Sequence, residues 1–284
     1  MTAKFGPAGN SDSFYAEGNK KSEQMPLWLK GKGLDAYEYQ CGNGVRCKAD
    51  TAASIKTAAK ENGILMSVHS PYYINLASDE EEKRIKSVDY ILQTAELAKL
   101  FDGDRIVVHS GALCKLTREE ALENAKKTLK MAIPEMKERG LENIHLCIET
   151  MGKINQLGDL DEVMELCRVD DSFLPCIDFG HLNARTLGEI KSKEDYAKIL
   201  DIINDRLGSD RAKIFHAHFS KIEYTKGGEK KHLTFEDEVY GPFFEPLGEL
   251  LYERGLTPVI ICESAGTQAE DSLYMKNAYM ANFK

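Results

Sequence analysis

No apolar run in the 284-residue sequence approaches the ~18–20 residues that a membrane-spanning helix needs. The opening stretch MTAKFGPAGNSDSFYAEGNKK has no apolar h-region, which predicts a cytoplasmic rather than a secreted chain. Seven cysteines are thinly spread and no C-x-x-C occurs. The odd count argues against a disulfide framework and against a thiolate zinc knuckle. Cys147, Cys176 and Cys262 each lie in an apolar run and read as small core residues. No G-x-G-x-x-G follows an early strand and no G-x-x-x-x-G-K-[ST] occurs, which disfavours a dinucleotide fold and a P-loop. There is no internal repeat, low-complexity tract or Pro/Ser-rich linker, so one domain over residues 1–284 is expected. Positive charge is in deficit. The formal net charge of −9 argues against broad, non-specific nucleic-acid binding, while leaving room for a local basic groove.

Against these absences stands an ordinary globular composition of 42 % hydrophobic, 29 % charged and 8 % aromatic residues, enough apolar surface to exclude intrinsic disorder. Eight short apolar runs have the length and β-branched content of buried strands. They are KFG (4–6), AYEYQ (36–40), ILMSVHS (64–70), RIVVHS (105–110), IHLCIET (144–150), FLPCIDFG (173–180), KIFHAHFS (213–220) and VIICES (259–264). Helical patterns separate them. Asp50 opens one that Gly63 closes, and Thr117 with Glu120 forms a capping-box pattern before Leu122, Ala125, Leu129, Ala132 and Met136 on one face. Pro134 inside that helix predicts a kink. Eight strand–helix units in this length predict a (β/α)8 TIM barrel, with a doubly wound open sheet as the competing α/β architecture.

The positions of the ligand-type residues follow from that register. His69 ends the third strand, His109 the fourth, Glu149 the fifth, and Asp178 the sixth with His181 three residues on. His216 and His218 lie in the seventh, and Glu263 ends the eighth. Carboxyl ends of barrel strands face the active-site mouth, so six consecutive strands deliver a His, Asp or Glu to one rim. Of the two histidines in the seventh strand only one can sit at the right height, and His216 is chosen here. Unpaired buried carboxylates and imidazoles are costly, and a metal removes that cost. Imidazole plus carboxylate without thiolate suits zinc, with manganese as the other option. Five such ligands would fill one ion, so eight point to two or three ions with bridging carboxylates. Clustered divalent ions suit phosphoester hydrolysis.

The motifs VHSPYYINLA (68–77), VHSG (108–111), IET (148–150), DFGH (178–181), HAHFSK (216–221) and CES (262–264) resemble endonuclease IV, the zinc-dependent apurinic/apyrimidinic endonuclease family. The resemblance runs in order over nearly the whole chain. The broader xylose-isomerase-like barrels share only the later Glu, Asp, His and Glu. Membership implies three zinc ions: one on His69 and His109 with Glu149 bridging to a second, that second completed by Asp178, His216 and Glu263, and a third on His181. Glu149 and Glu263 would be catalytic, and Glu263 would lie close to the nucleophile. The family completes its third site with an Asp-x-His pair, but the segment here is KGGEKKH (226–232). His232 matches, Lys230 stands where the family has Asp, and Glu229 takes the Asp role if the loop slips by one residue. The expected partner is double-stranded DNA with abasic sites, bound by a monomer. Tyr72, Arg46 in the loop QCGNGVRC (40–47), and Lys226 and Lys231 are the expected DNA contacts. Residues 211–232 carry six Lys/Arg against two Glu, a local net of +4 in a chain of −9. The alternative is a one-metal sugar isomerase or epimerase using Glu149, Asp178, His216 and Glu263, with two carboxylates shuttling protons beside a carbonyl. A third reading is a barrel that kept its metal but lost turnover.

Overall fold

The computed structural model describes residues 2–283. Ten strands form in chain order: β1 (Lys4–Pro7), β2 (Ala36–Gln40), β3 (Leu65–His69), β4 (Arg105–His109), β5 (His145–Glu149), β6 (Leu174–Asp178), β7 (His216–Phe219), β8 (Ile222–Thr225), β9 (Gly228–His232) and β10 (Val259–Cys262). Eight of them make one parallel sheet in the order β1-β10-β7-β6-β5-β4-β3-β2. A bridge between Ala8 and Glu38 and the bond from Asp35 N–H to the Phe5 carbonyl (2.9 Å) bring β1 to β2 and nearly close the barrel. That approach requires a glycine: a Cβ on Gly6 would overlap the Ala36 carbonyl. All eight predicted strands are present, alternating with helices as in a TIM barrel.

Period-2 alternation divides each strand between two environments. Outward side chains such as Val68, Ile106, Val108, Leu146, Ile148 and Ile177 join the main core under the helices. Inward apolar ones form two separate, small clusters: Val107, Cys147, Leu174 and Cys176 make one, and Ala8, Ala36, Val259 and Ile261 another. Cys147, Cys176 and Cys262 are buried and unpaired, as their apolar runs predict. The Arg118–Glu138 helix carries the predicted capping box, with Glu120 N–H donating to Thr117 Oγ1 (3.2 Å) and Thr117 N–H to Glu120 Oε2 (2.9 Å). A cap of this kind is worth roughly 1 kcal/mol. The helix continues past Pro134, and Ala125, Leu129, Ala132 and Met136 are buried on its inner face. No described helix is long and apolar enough to cross a membrane.

The long connection after β7, read from the sequence as a loop, is a β-hairpin of β8 and β9. The tip rests on the segment after β5, where Ile154 N–H donates to the Gly227 carbonyl (3.1 Å) and Glu229 N–H to the Gly152 carbonyl (3.1 Å). Gly228 has φ 89°, and a Cβ there would meet the Gly152 carbonyl. Glu223 pairs with Lys231 and Tyr224 with Glu229, so Lys230 is the extra residue of a bulge.

A candidate metal centre at the barrel mouth

The carboxyl ends of β3, β4 and β5 carry His69, His109 and Glu149 into one cavity of about 580 Å³, which Glu263, His181, His232 and Glu229 also line. Asp178, at the end of β6, is buried behind it in one ligand group with Glu149, His218 and Glu263. Glu149 is the hub. Its Oε2 lies 3.0 Å from His109 Nε2 and 3.4 Å from His69 Nε2. Its Oε1 lies 3.3 Å from His218 Nδ1 and 3.4 Å from His181 Nδ1. His218 Nδ1 is also 3.5 Å from Glu263 Oε1. Three ligand sets therefore adjoin: His69–His109–Glu149, Glu149–Asp178–His218–Glu263 and His181–His232–Glu263, each with its ligand atoms within 4.8 Å of one another.

Hydrogen bonds to the far ring nitrogens aim several of these imidazoles. His69 Nδ1 meets the Ser70 carbonyl (2.8 Å), and His232 Nδ1 meets Ser220 Oγ (2.8 Å), so each turns Nε2 to the cavity. His181 Nδ1 meets the Thr150 carbonyl (2.9 Å), and its Nε2 lies 3.5 Å from Glu229 Oε2. Asp178 caps the short helix that follows, accepting from His181 N–H at Oδ1 (2.7 Å). Its Oδ2 and Glu149 Oε2 are buried and make no hydrogen bond. Two orphaned carboxylate oxygens facing converging imidazoles fit divalent cations of the zinc or manganese type.

A model of the xylose isomerase-like TIM barrel family matches residues 27–278. The chain belongs to that family. An uncharacterized protein of Methanocaldococcus jannaschii is 34 % identical over 87 % of this chain and 88 % of its own length. A probable endonuclease 4 of Mycoplasma pneumoniae is 30 % identical over 55 % of this chain and 53 % of its own. Similar solved structures include a D-tagatose 3-epimerase-like protein (TM-score 0.73, 20 % identity, 98 % of this chain and 97 % of that one) and endonuclease IV from Thermus thermophilus (0.67, 18 %, 99 % and 98 %). These last two likenesses concern the fold.

Within this xylose isomerase-like barrel, one expected residue lies elsewhere. His216 is not at the rim. In the parallel register His218 stands beside Asp178, whereas His216 stands beside Cys176, one layer down. His216 Nε2 contacts Glu38 Oε2 at 3.0 Å instead. The run KIFHAHFS misled because its first residues, Lys213 and Ile214, end a helix over Ser209–Ile214, so β7 starts only at His216. Glu38, buried inside the barrel, was also missed, although a lone acid between two tyrosines in an apolar strand was the available signal.

The bulge at Lys230 brings Glu229 and His232 to the same cavity, while Lys230 and Lys231 both turn to Glu223. Tyr72 is 62 % exposed, its ring 6.0 Å from His69 and 5.8 Å from His109. Arg46 is exposed in the turn after β2, and Lys226 is exposed at the hairpin tip. Gln40, Gln156 and Gln268 also line the cavity and carried no signal in the sequence.

Without an ion, protons balance the charge. Burial opposes ionisation of Glu149, but His109, His181 and His218 outweigh it and hold the carboxyl well below its usual range. Burial disfavours the His69 imidazolium, yet the adjacent Glu149 carboxylate raises that group to about 9. Burial dominates at His216 and pushes it down to about 4 despite Glu38. The signs are opposite. His69 stabilises the metal-free fold fully below its unfolded value of about 6.5, and that contribution disappears as pH rises through about 9. His216 removes stability as pH falls from about 6.5 towards 4. Chelator-stripped protein should therefore unfold at progressively lower temperature from pH 6.5 to 9. Zinc should restore more stability at pH 9 than at 6.5, because its ligands must be deprotonated. Thermal unfolding with and without zinc checks this, and a stripped protein with a flat profile over that window contradicts it.

Proposed function

We propose that the protein is a metal-dependent endonuclease that hydrolyses the DNA phosphodiester on the 5′ side of abasic sites. The observation that carries this reading is the abutment of three ligand sets through Glu149 and Glu263, more imidazole and carboxylate than one ion uses. Divalent ions bound there would supply an activated water and neutralise charge on the phosphate in flight. His69, His109 and Glu149 would hold one ion, Glu149, Asp178, His218 and Glu263 a second, and His181 and His232 a third, with Glu263 in the same ligand group and Glu229 Oε2 3.5 Å from His181 Nε2. Glu263, shared by two of these ligand sets and lining the cavity, would orient the water that attacks phosphorus. The bond from phosphorus to the 3′-oxygen breaks, leaving a 3′-hydroxyl and a 5′-deoxyribose phosphate. Tyr72 would pack against the lesion at the mouth, with Arg46, Lys226 and Lys231 on flanking phosphates. The probable endonuclease 4 relatives support this substrate.

The second reading, a one-metal sugar epimerase, is favoured by a different observation. Glu149, Asp178, His218 and Glu263 form a complete four-ligand set by themselves, and three glutamines suited to hydroxyls line the cavity. The test is zinc-loaded protein against an end-labelled duplex with one abasic site and, separately, against ketohexoses. Cleavage leaving a 3′-hydroxyl, without ketohexose epimerisation, supports the nuclease. The reverse result supports the epimerase. On the nuclease reading, combined Lys226→Ala and Lys231→Ala flattens the salt dependence of DNA binding by roughly one to two units of slope. An unchanged slope would leave both lysines to solvent.

A further inference from the structure

Beneath the mouth the barrel interior holds a carboxylate that is not part of the mouth cavity's lining. Glu38, on β2, is fully buried. Its Oε2 accepts from Ser67 Oγ (2.9 Å) and lies 3.0 Å from His216 Nε2. Its Oε1 accepts from Gln40 Nε2 (3.2 Å) and lies 3.0 Å from His218 Nε2. One carboxylate thus joins two imidazoles and two strands across the barrel. A charge placed there is costly unless partners surround it. Nothing in the sugar or phosphodiester reaction needs it to touch substrate. What it does touch is the far nitrogen of His218, whose near nitrogen, Nδ1, faces Glu149 and Glu263.

The other rim imidazoles reverse this orientation. His69 and His232 have Nδ1 engaged by a carbonyl or hydroxyl and turn Nε2 outwards. His218 instead has Nε2 within ion-pair distance of a carboxylate, 3.0 Å from Glu38 Oε1 without a formed hydrogen bond, and Nδ1 3.3 Å from Glu149 Oε1. We infer that Glu38 is a positioning residue that keeps the His218 proton on Nε2 and so presents an unprotonated Nδ1 to a metal at the Glu149–Asp178–His218–Glu263 site. A carboxylate behind a ligating imidazole fixes its tautomer and raises its basicity, and removing such a partner typically costs about 10–100-fold in metal affinity. Gln40 ties the arrangement to the mouth, since it lines the cavity and bonds the same oxygen that faces His218. His216 gives the second oxygen its partner, which explains an otherwise unused histidine in the interior.

This inference rests on the metal reading, and two variants separate the two. Glu38→Gln keeps the shape but cannot accept from both imidazoles. Ser67→Ala removes one bond to the opposite oxygen and leaves the His218 contact. Zinc affinity is measured by competition with a chromophoric chelator, and unfolding temperature is measured on the stripped proteins. Glu38→Gln should weaken one zinc site about 10–100-fold and the remaining zinc less, whereas Ser67→Ala should change zinc affinity by under about threefold. Nitrogen-15 NMR of zinc-loaded, histidine-labelled wild type supplies a readout that needs no variant: His218 should carry its proton on Nε2 and bind through Nδ1. Equal zinc losses in the two variants, unchanged zinc affinity in Glu38→Gln, or zinc on His218 Nε2 overturns the assignment while leaving the metal reading in place. A wild type that holds no zinc overturns both.

Discussion

Glu149→Ala is expected to lower abasic-site cleavage by roughly 10³-fold, and His69→Ala by less, because charge stabilisation by clustered ions is worth several kcal/mol. Glu149 is 1 % exposed and is approached by His69, His109, His181 and His218, two on each oxygen. Removing it takes a ligand from two ligand sets at once and leaves four imidazoles without their central counter-charge. His69 also belongs to two groups, with His109 and Glu149 and with His218 and Glu263, but its Nδ1 is taken by the Ser70 carbonyl, so it has one nitrogen to give and can hold only one ion. Metal content should follow the same order, with Glu149→Ala losing metal from two sites and His69→Ala from one. Glu149→Gln, which keeps the volume, separates ligation from packing. Steady-state cleavage under saturating zinc, with metal content on the same samples, checks the comparison. Equal residual rates in Glu149→Ala and His69→Ala would count against the bridging role.

The second large effect belongs to the hairpin. A lysine ammonium does not ligate zinc while protonated, and its charge repels a nearby cation. The bulge removes that conflict by turning Lys230 to Glu223 on the outer face and leaving Glu229 beside His181. Glu229→Ala should therefore lower metal content by about one ion per chain and reduce cleavage roughly 10–100-fold, as loss of a ligand-shell carboxylate does elsewhere. Lys230→Ala should leave metal content intact. Metal analysis of both variants decides it. If neither changes metal content, Glu229 is not a ligand and the third ion is absent.

Much of this arrangement was legible because burial writes itself into sequence. Strands covered on both faces need unbroken apolar runs, so RIVVH and IHLCIE announce β4 and β5. Rim residues were legible because they break those runs at their ends. What remained hidden depends on register. A period-2 strand presents His216 and His218 to the same face, and only the neighbour β6 decides which one stands level with Asp178. The hairpin was hidden for the same reason: a single extra residue at Lys230 reverses which side of β9 faces the cavity, and no local propensity marks it. Glu38 was overlooked because an acid inside a strand has no meaning until its partners are known, and Ser67 and His216 stand 29 and 178 positions away in the chain.

More than one ion at the mouth separates the nuclease from a one-metal epimerase. Elemental analysis of zinc and manganese per chain, on protein purified without chelator and again after zinc loading and desalting, tests it most directly. A loaded stoichiometry of two to three ions is the predicted result. One ion per chain, lost on His218→Ala and unaffected by His109→Ala, would contradict it.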